Sequence, residues 1–399
     1  MQPDPTPPDH SPATQVHFGP VAFAGATGTF TLMGAFTALF GPLLITFTQR
    51  FHVSLPTAGA ALSVYFVGAF VGVLPGWVGL RRLPGRHVLT LALLTIAAGA
   101  FAMTLTNDWT LFLLDLFVIG LGFGTLDIGL NTMLARTALE GRARRLSVGN
   151  AGYGIGAVIS PLLIIAVHPD NFPALMAAFG VMAIVLATLN RGLHAPAART
   201  ESLPGEIVRV DGRRAILVTF TIAYALYVGA ETAASGWLAT QIHHAGYSLS
   251  IAIVVTAGFW TGLALGRLLG GPLHRWASER FLVLGGLVLA VVLVLVSSVA
   301  SLAPYAYPLV GFVIASIFPM GLMWYTTLCP NDSDGVSLMI FVMMAGGFLV
   351  PALVSVSVSH LGVRSIPFVL AAVLLGDLGC FLSALRFRPV VVTPPPAPS

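Results

Sequence analysis

An all-α membrane protein with twelve transmembrane helices in two six-helix halves is the fold this sequence predicts, on three observations. Apolar residues make up 56% of the 399 positions and charged residues only 9%, a balance that a bundle in lipid requires and a soluble domain of this length does not. Apolar segments of about twenty residues, enough for a helix to cross about 30 Å of hydrocarbon, recur between short polar turns. Arginines gather in alternate turns, as in a chain that weaves through a bilayer.

The predicted spans are 20–48, 54–80, 86–106, 109–138, 146–167, 172–192, 215–243, 249–275, 280–300, 303–327, 334–361 and 364–386. The stretch from Arg191 to Arg214 holds Pro196, Pro204 and Gly205 and is the longest charged interval between helices. It reads as a linker, 193–214, between an N-terminal half, 18–192, and a C-terminal half, 215–388. Residues 1–17 and 389–399 are expected to be disordered tails, because both are proline-rich and the first lacks the basic start of a signal peptide.

With both termini in the cytoplasm, Arg81, Arg82, Arg86, Arg136, Arg142, Arg144, Arg145, Arg275, Arg280, Arg386, Arg388 and the linker arginines fall on the inner side. Only Arg50 and Arg364 fall on the outer side, so the positive-inside bias orients a multi-pass protein of the plasma or inner membrane.

Several functions are excluded. Every basic residue is arginine, the net charge is only +4, and the arginines are spread over loops, so nucleic acid is not a partner. Cys329 and Cys380 have neither CxxC spacing nor a histidine cluster, which argues against a disulfide framework or a zinc site. No nucleophile, base and orienting group are clustered, and no phosphate-binding motif occurs, so no catalytic residue, metal or cofactor is expected. The expected partners are the lipid bilayer and a small-molecule substrate, and the chain is expected to be a monomer.

Two acids stand inside apolar runs: Asp127 in GLGFGTLDIGLNTML and Glu231 in AYALYVGAETAASGWLA. An ionisable side chain at bilayer depth costs about 2.5–3.5 kcal/mol on insertion scales and commonly marks a substrate or ion pathway. A transporter is the expectation that follows. Asp127 and Asn131 are four residues apart, on one helical face among Gly120, Gly122, Gly124 and Gly129. Asn150 and Tyr153 lie about one turn apart in the fifth span and can exchange hydrogen bonds with hydroxyls, while the tyrosine ring offers a sugar an apolar face. Tyr227 shares a face with Glu231, and Tyr224, Trp237 and Gln241 accompany them.

Asn131, Asn150, Tyr153 and Tyr227 are therefore the candidate substrate contacts. Asp127 and Glu231 are the candidate ion-coupling groups, with proton or sodium as the ion, since burial favours a neutral carboxyl and links proton binding to substrate binding. Trp237 and Gln241 read as interface anchors. Asp377 and Arg267 are assigned structural roles, bonding carbonyls or a helix end outside the main site. Trp260, Trp324, Met343 and Met344 read as core.

At these residues the chain resembles the major facilitator superfamily and, within it, the fucose:proton symporter group of sugar transporters. YVGAETA, Tyr227 to Ala233, resembles the group's seventh-helix YVGAQTA, with Glu231 at its amide position. Asp127-Ile-Gly-Leu-Asn131 resembles its fourth-helix ETAAN, which implies a proton- or sugar-linked role for Asp127 and a polar contact for Asn131. Asn150 falls on a polar position of the fifth helix. The loop from Gly76 to Val88 loosely resembles the superfamily signature, with Leu80 in place of an acid. The group's first-helix aspartate has no equivalent, since Gly34 to Pro42 offers only Thr37.

The resemblance implies a major facilitator fold and a secondary transporter of a small neutral polyhydroxylated solute, a monosaccharide, working by alternating access with proton coupling. The first six spans hold no arginine at depth to attract an anion. The alternatives are a proton-coupled multidrug or metabolite exporter, and a non-transporting membrane sensor on the same fold.

Overall fold

The computed structural model of the chain describes residues 16, 18–135, 137, 142–193, 212–330 and 332–387. The expected tails, apart from 16 and 18, and most of the expected linker lie outside them, as do Arg136 and Arg388. The described helices are α1 (Pro20–Phe51), α2 (Leu55–Arg82), α3 (Gly85–Leu105), α4 (Trp109–Ala135), α5 (Arg142–Val167), α6 (Phe172–Leu189), α7 (Arg213–His244), α8 (Leu249–His274), α9 (Glu279–Val296), α10 (Ala303–Ile314), α11 (Ile317–Leu328), α12 (Ser333–Leu361) and α13 (Ile366–Ala384).

Twelve segments are long and apolar enough to cross a membrane, and each overlaps one predicted span. The tenth differs in detail, because it is two helices, α10 and α11, broken at Ala315 and Ser316. Pro319 explains the break: it has no N–H to give the Ala315 carbonyl, and its ring crowds that oxygen.

Packing divides the chain into two compact units. The first is Met1–Thr37, Val67–Ala157 and Asp170–Ser202; the second is Ala38–Phe66, Val158–Pro169 and Leu203–Ser399.

In the first unit, glycines let helix backbones touch. A Cβ at Gly34 of α1 would land on the Tyr153 carbonyl of α5, one at Gly156 on the Thr31 carbonyl, and one at Gly124 of α4 on the Ala69 carbonyl of α2. Thr125 adds a hydrogen bond from its hydroxyl to the Gly72 carbonyl, 2.8 Å away. Small residues at such crossings replace the hydrophobic drive that lipid cannot supply.

In the second unit, Gly346 of α12 meets the Ala225 carbonyl of α7 in the same way, and Gly262 of α8 meets the Pro308 carbonyl of α10. The last part of α1 and the first part of α2 also belong here. Gly41 packs on Gly236, Gly59 on the Trp237 ring, and the Ser63 hydroxyl donates to the Phe348 carbonyl at 3.1 Å.

Trp237 and Gln241 are therefore not interface anchors. Trp237 is wholly buried, and Gln241 is buried with its amide donating to the Ser297 carbonyl at 2.8 Å while accepting from the Tyr307 hydroxyl. An aromatic-belt residue and a buried packing residue look alike in a sequence; only the neighbouring helices distinguish them.

Asp332, just before α12, caps that helix by accepting from the Gly335 N–H, and it takes two bonds from Arg213, at 2.6 and 3.0 Å, and one from Tyr325. The Arg213 guanidinium, helped by Tyr325 and Gly335, holds the carboxyl down at about 2. A carboxyl bound this way stabilises the fold fully above its unfolded value of about 3.9 and stops doing so as pH falls through about 2. Arg213→Ala should thus melt lower than wild type at neutral pH, with the gap closing between about pH 4 and about pH 2; thermal unfolding in detergent across that window checks it.

Candidate substrate and ion sites

On each helix that carries a predicted site residue, the polar face lies opposite the exposed apolar stripe. At about 100° per residue, Asp127 and Asn131 on α4 are centred about 150° from exposed Leu111 and Leu114. On α5, Asn150 and Tyr153 are centred about 180° from Ile155, Ile159 and Leu162. On α7, Tyr224, Tyr227 and Glu231 fall within about 60° of one another and about 180° from Val218 and Ile222. The stripes suit lipid, so the polar faces are turned away from it.

In the first unit, the predicted pair on α4 forms. Asn131 donates to the Asp127 carboxylate at 3.1 Å and to the Asp127 carbonyl at 3.0 Å. Asp127 is half-buried and Asn131 exposed, so the amide fixes the carboxyl while leaving the face accessible. Tyr153 is joined to a residue on another helix, its hydroxyl donating at 2.9 Å to Thr37 on α1, and Thr37 donates onward to the Met33 carbonyl. Thr37 thus sits in this network, in the stretch of α1 where this chain has no equivalent of the resembling group's aspartate. Asn150 is exposed near the start of α5, a turn from Tyr153.

In the second unit, Tyr227 and Glu231 also meet as their spacing predicts: the buried Tyr227 hydroxyl donates to Glu231 Oε2 at 2.6 Å. The same oxygen faces Arg267 of α8, whose guanidinium Nη2 is 3.5 Å away. This corrects the placement of Arg267 outside the site. Depth along the two helices brings the groups level. Glu231 lies thirteen residues, about 20 Å, below the end of α7, and Arg267 lies eighteen residues, about 27 Å, below the start of α8. An arginine side chain spans the difference. On α8, Arg267 also lies about 160° from the exposed stripe of Leu265, Leu268 and Leu269.

The cluster is dry on one side and open on the other, with Tyr227 2% exposed, the Glu231 side chain 12% and the Arg267 side chain 36%. A carboxylate held by a guanidinium and a phenol is neutral as a pair in a bundle that tolerates little charge. Glu231, Tyr227 and Arg267 thus form one contact network joining α7 and α8.

Asp377 of α13 departs from its sequence-based role. It is wholly buried, and among the described residues neither carboxyl oxygen has a hydrogen-bond partner, so it holds no helix end. Trp260 and Trp324 are buried as expected, Trp324 stacked on Phe381 at 5.8 Å. Met343 and Met344 are half-buried.

The family model of the Major Facilitator Superfamily matches residues 26–351. The chain is 24% identical over 349 residues to the glucose/mannose transporter GlcP of Bacillus subtilis, covering 83% of this chain and 86% of that one. It is 26% identical over 157 residues to the L-fucose-proton symporter of Escherichia coli, covering 38% of this chain and 36% of that one. The crystal structure of a D-xylose-proton symporter superposes with a TM-score of 0.73 at 14% identity, covering 92% of this chain and 98% of that one. With twelve apolar spans and a family match over most of its length, the chain is a multi-pass membrane transporter, not an enzyme, and it belongs to the Major Facilitator Superfamily.

Proposed function

We propose that this transporter carries a small neutral polyhydroxylated solute, a monosaccharide, by alternating access, with a proton as the coupling ion and both termini in the cytoplasm. The observation that carries the proposal is the Glu231 cluster, an ionisable group at bilayer depth bonded to Arg267 and Tyr227 and still partly open. Arg267 is a central arginine, yet its charge is matched by Glu231, so it does not call for an anionic substrate. The other polar faces offer hydroxyls and amides: Asn131 beside Asp127, Asn150, and Tyr153 joined to Thr37. Such groups recognise hydroxyl-rich solutes, donating and accepting with little charge. The names of the relatives, transporters of glucose, mannose and fucose, support the sugar class.

Uptake of a labelled monosaccharide panel into proteoliposomes, under imposed pH and sodium gradients separately, tests substrate and ion together. Accumulation of a hexose driven by the pH gradient alone is the expected result. Absence of any sugar counterflow, or thermal stabilisation by cationic drugs and not by sugars, would overturn it.

Tyr153→Phe keeps the ring and removes the donor to Thr37. A hydrogen bond contributes about 0.5–1.5 kcal/mol net, so losing the Thr37 bond should lower thermal stability by about that much, and losing the proposed contact of the same hydroxyl with a sugar hydroxyl should raise the KM about two- to tenfold. Zero-trans uptake at varied sugar concentration measures it.

A further inference from the structure

We propose that Asp377 is an occluded proton-binding site of the second unit, a carboxylic acid that carries its proton among α7, α9 and α13 and exchanges it only when α13 parts from α7. Asp377 is separate from the Glu231 cluster, so its protonation can be tested whether or not Glu231 couples transport to protons.

Three observations lead there. Asp377 is fully buried, with neither oxygen bonded to a donor among the described residues. An ionised carboxylate without water, donor or counter-charge is far costlier to bury than the neutral acid. Its direction on the helix is inward, since it lies about 140–180° from exposed Phe368, Leu375 and Leu382 and in line with buried Leu370, Leu374 and Phe381.

The third observation is Tyr224 of α7, whose hydroxyl is in electrostatic reach of Asp377. That hydroxyl already donates its proton to the Phe318 carbonyl at 2.7 Å. The Tyr224 proton is thus committed to Phe318 and is not offered to Asp377, which makes no hydrogen bond to it. From α13 itself, Cys380 is also in reach. On α9 the charged groups are Glu279 and Arg280 in the first turn, where the Arg280 guanidinium lies 5.4 Å over the Trp324 ring and that ring in turn stacks on Phe381. On α12 they are Asp334 and His360, at its two ends, and Arg364 lies in the turn before α13. None of these charged groups on α9, α12 or the turn makes a hydrogen bond or ion pair to Asp377 among the described residues. Binding is then simple protonation: one proton from water forms the Asp377 O–H, and no other bond changes.

Tyr224, Tyr227 and Glu231 share one face of α7, so a shift of α7 that alters the Glu231 cluster also moves Tyr224 against Asp377. Infrared spectroscopy of the purified full-length protein in lipid tests the site. The spectrum of wild type minus Asp377→Asn at neutral pH should show one carboxylic C=O stretching band, slow to shift in D2O. Glu231→Gln should leave that band in place. A difference spectrum carrying carboxylate bands, or one without a carboxylic C=O band, would overturn the proposal. If Asp377→Asn does not fold, Asp377→Glu should move the same band in frequency, and a band that stays where it was would overturn it equally.

Discussion

Glu231→Gln protein in proteoliposomes is expected to lose all pH-driven accumulation of a hexose while keeping counterflow. One proton moving down one pH unit supplies about 1.4 kcal/mol, or a tenfold concentration ratio. Wild type should therefore approach about tenfold accumulation per pH unit, and the amide variant should level at about one. Counterflow survives because exchange needs the solute path and not a net proton. The variant also leaves Arg267 without its partner; removing one member of a buried pair costs about 3–5 kcal/mol, and partial exposure of Arg267 keeps this case below that range. Asp127→Asn tests the first unit in the same assay. Unchanged accumulation in both variants would remove the carboxyls from the coupling step.

Gly124→Leu is expected to abolish folding of the first unit, seen as loss of a monodisperse detergent-purified species. The first side-chain carbon at this position would fall on the Ala69 carbonyl, a backbone atom of α2 that no rotamer change can move aside. Separating α2 from α4 to admit the side chain would also break the Thr125 bond to Gly72. Overpacking in ordinary cores costs about 1–3 kcal/mol, and a clash with backbone along a whole helix crossing exceeds that. Gly192, whose Cβ would meet nothing within 4 Å, is the matched control, and Gly192→Ala should purify normally.

The pairs within one helix were legible in the sequence. Asp127 with Asn131 and Tyr227 with Glu231 are both four apart, and helix geometry alone brings each pair into hydrogen-bond range. Pairs across helices were not, because they depend on the crossing partner and on relative depth. The Tyr153 bond to Thr37 follows from the close α1–α5 crossing that Gly34 and Gly156 permit. Arg267, assigned a structural role from the sequence, is the largest correction, since a lone arginine in an apolar run has several ordinary fates and only the meeting of α7 and α8 selects one. Trp237 and Gln241 were misplaced for the mirror reason: both types suit a membrane interface, and neighbours from α2, α10 and the turn after α9 bury them.

The sequence by itself determined the number of membrane crossings, most of their limits and the acids to watch, because lipid imposes its demand residue by residue along the chain. Solvent does not care which helix comes next. The tertiary structure alone decided that Glu231 has a guanidinium at hand, that Asp377 has no donor, and that the tenth span breaks where α11 begins. Those outcomes depend on groups brought close from distant positions, or on how a proline's lost bond is accommodated, and no local pattern encodes either.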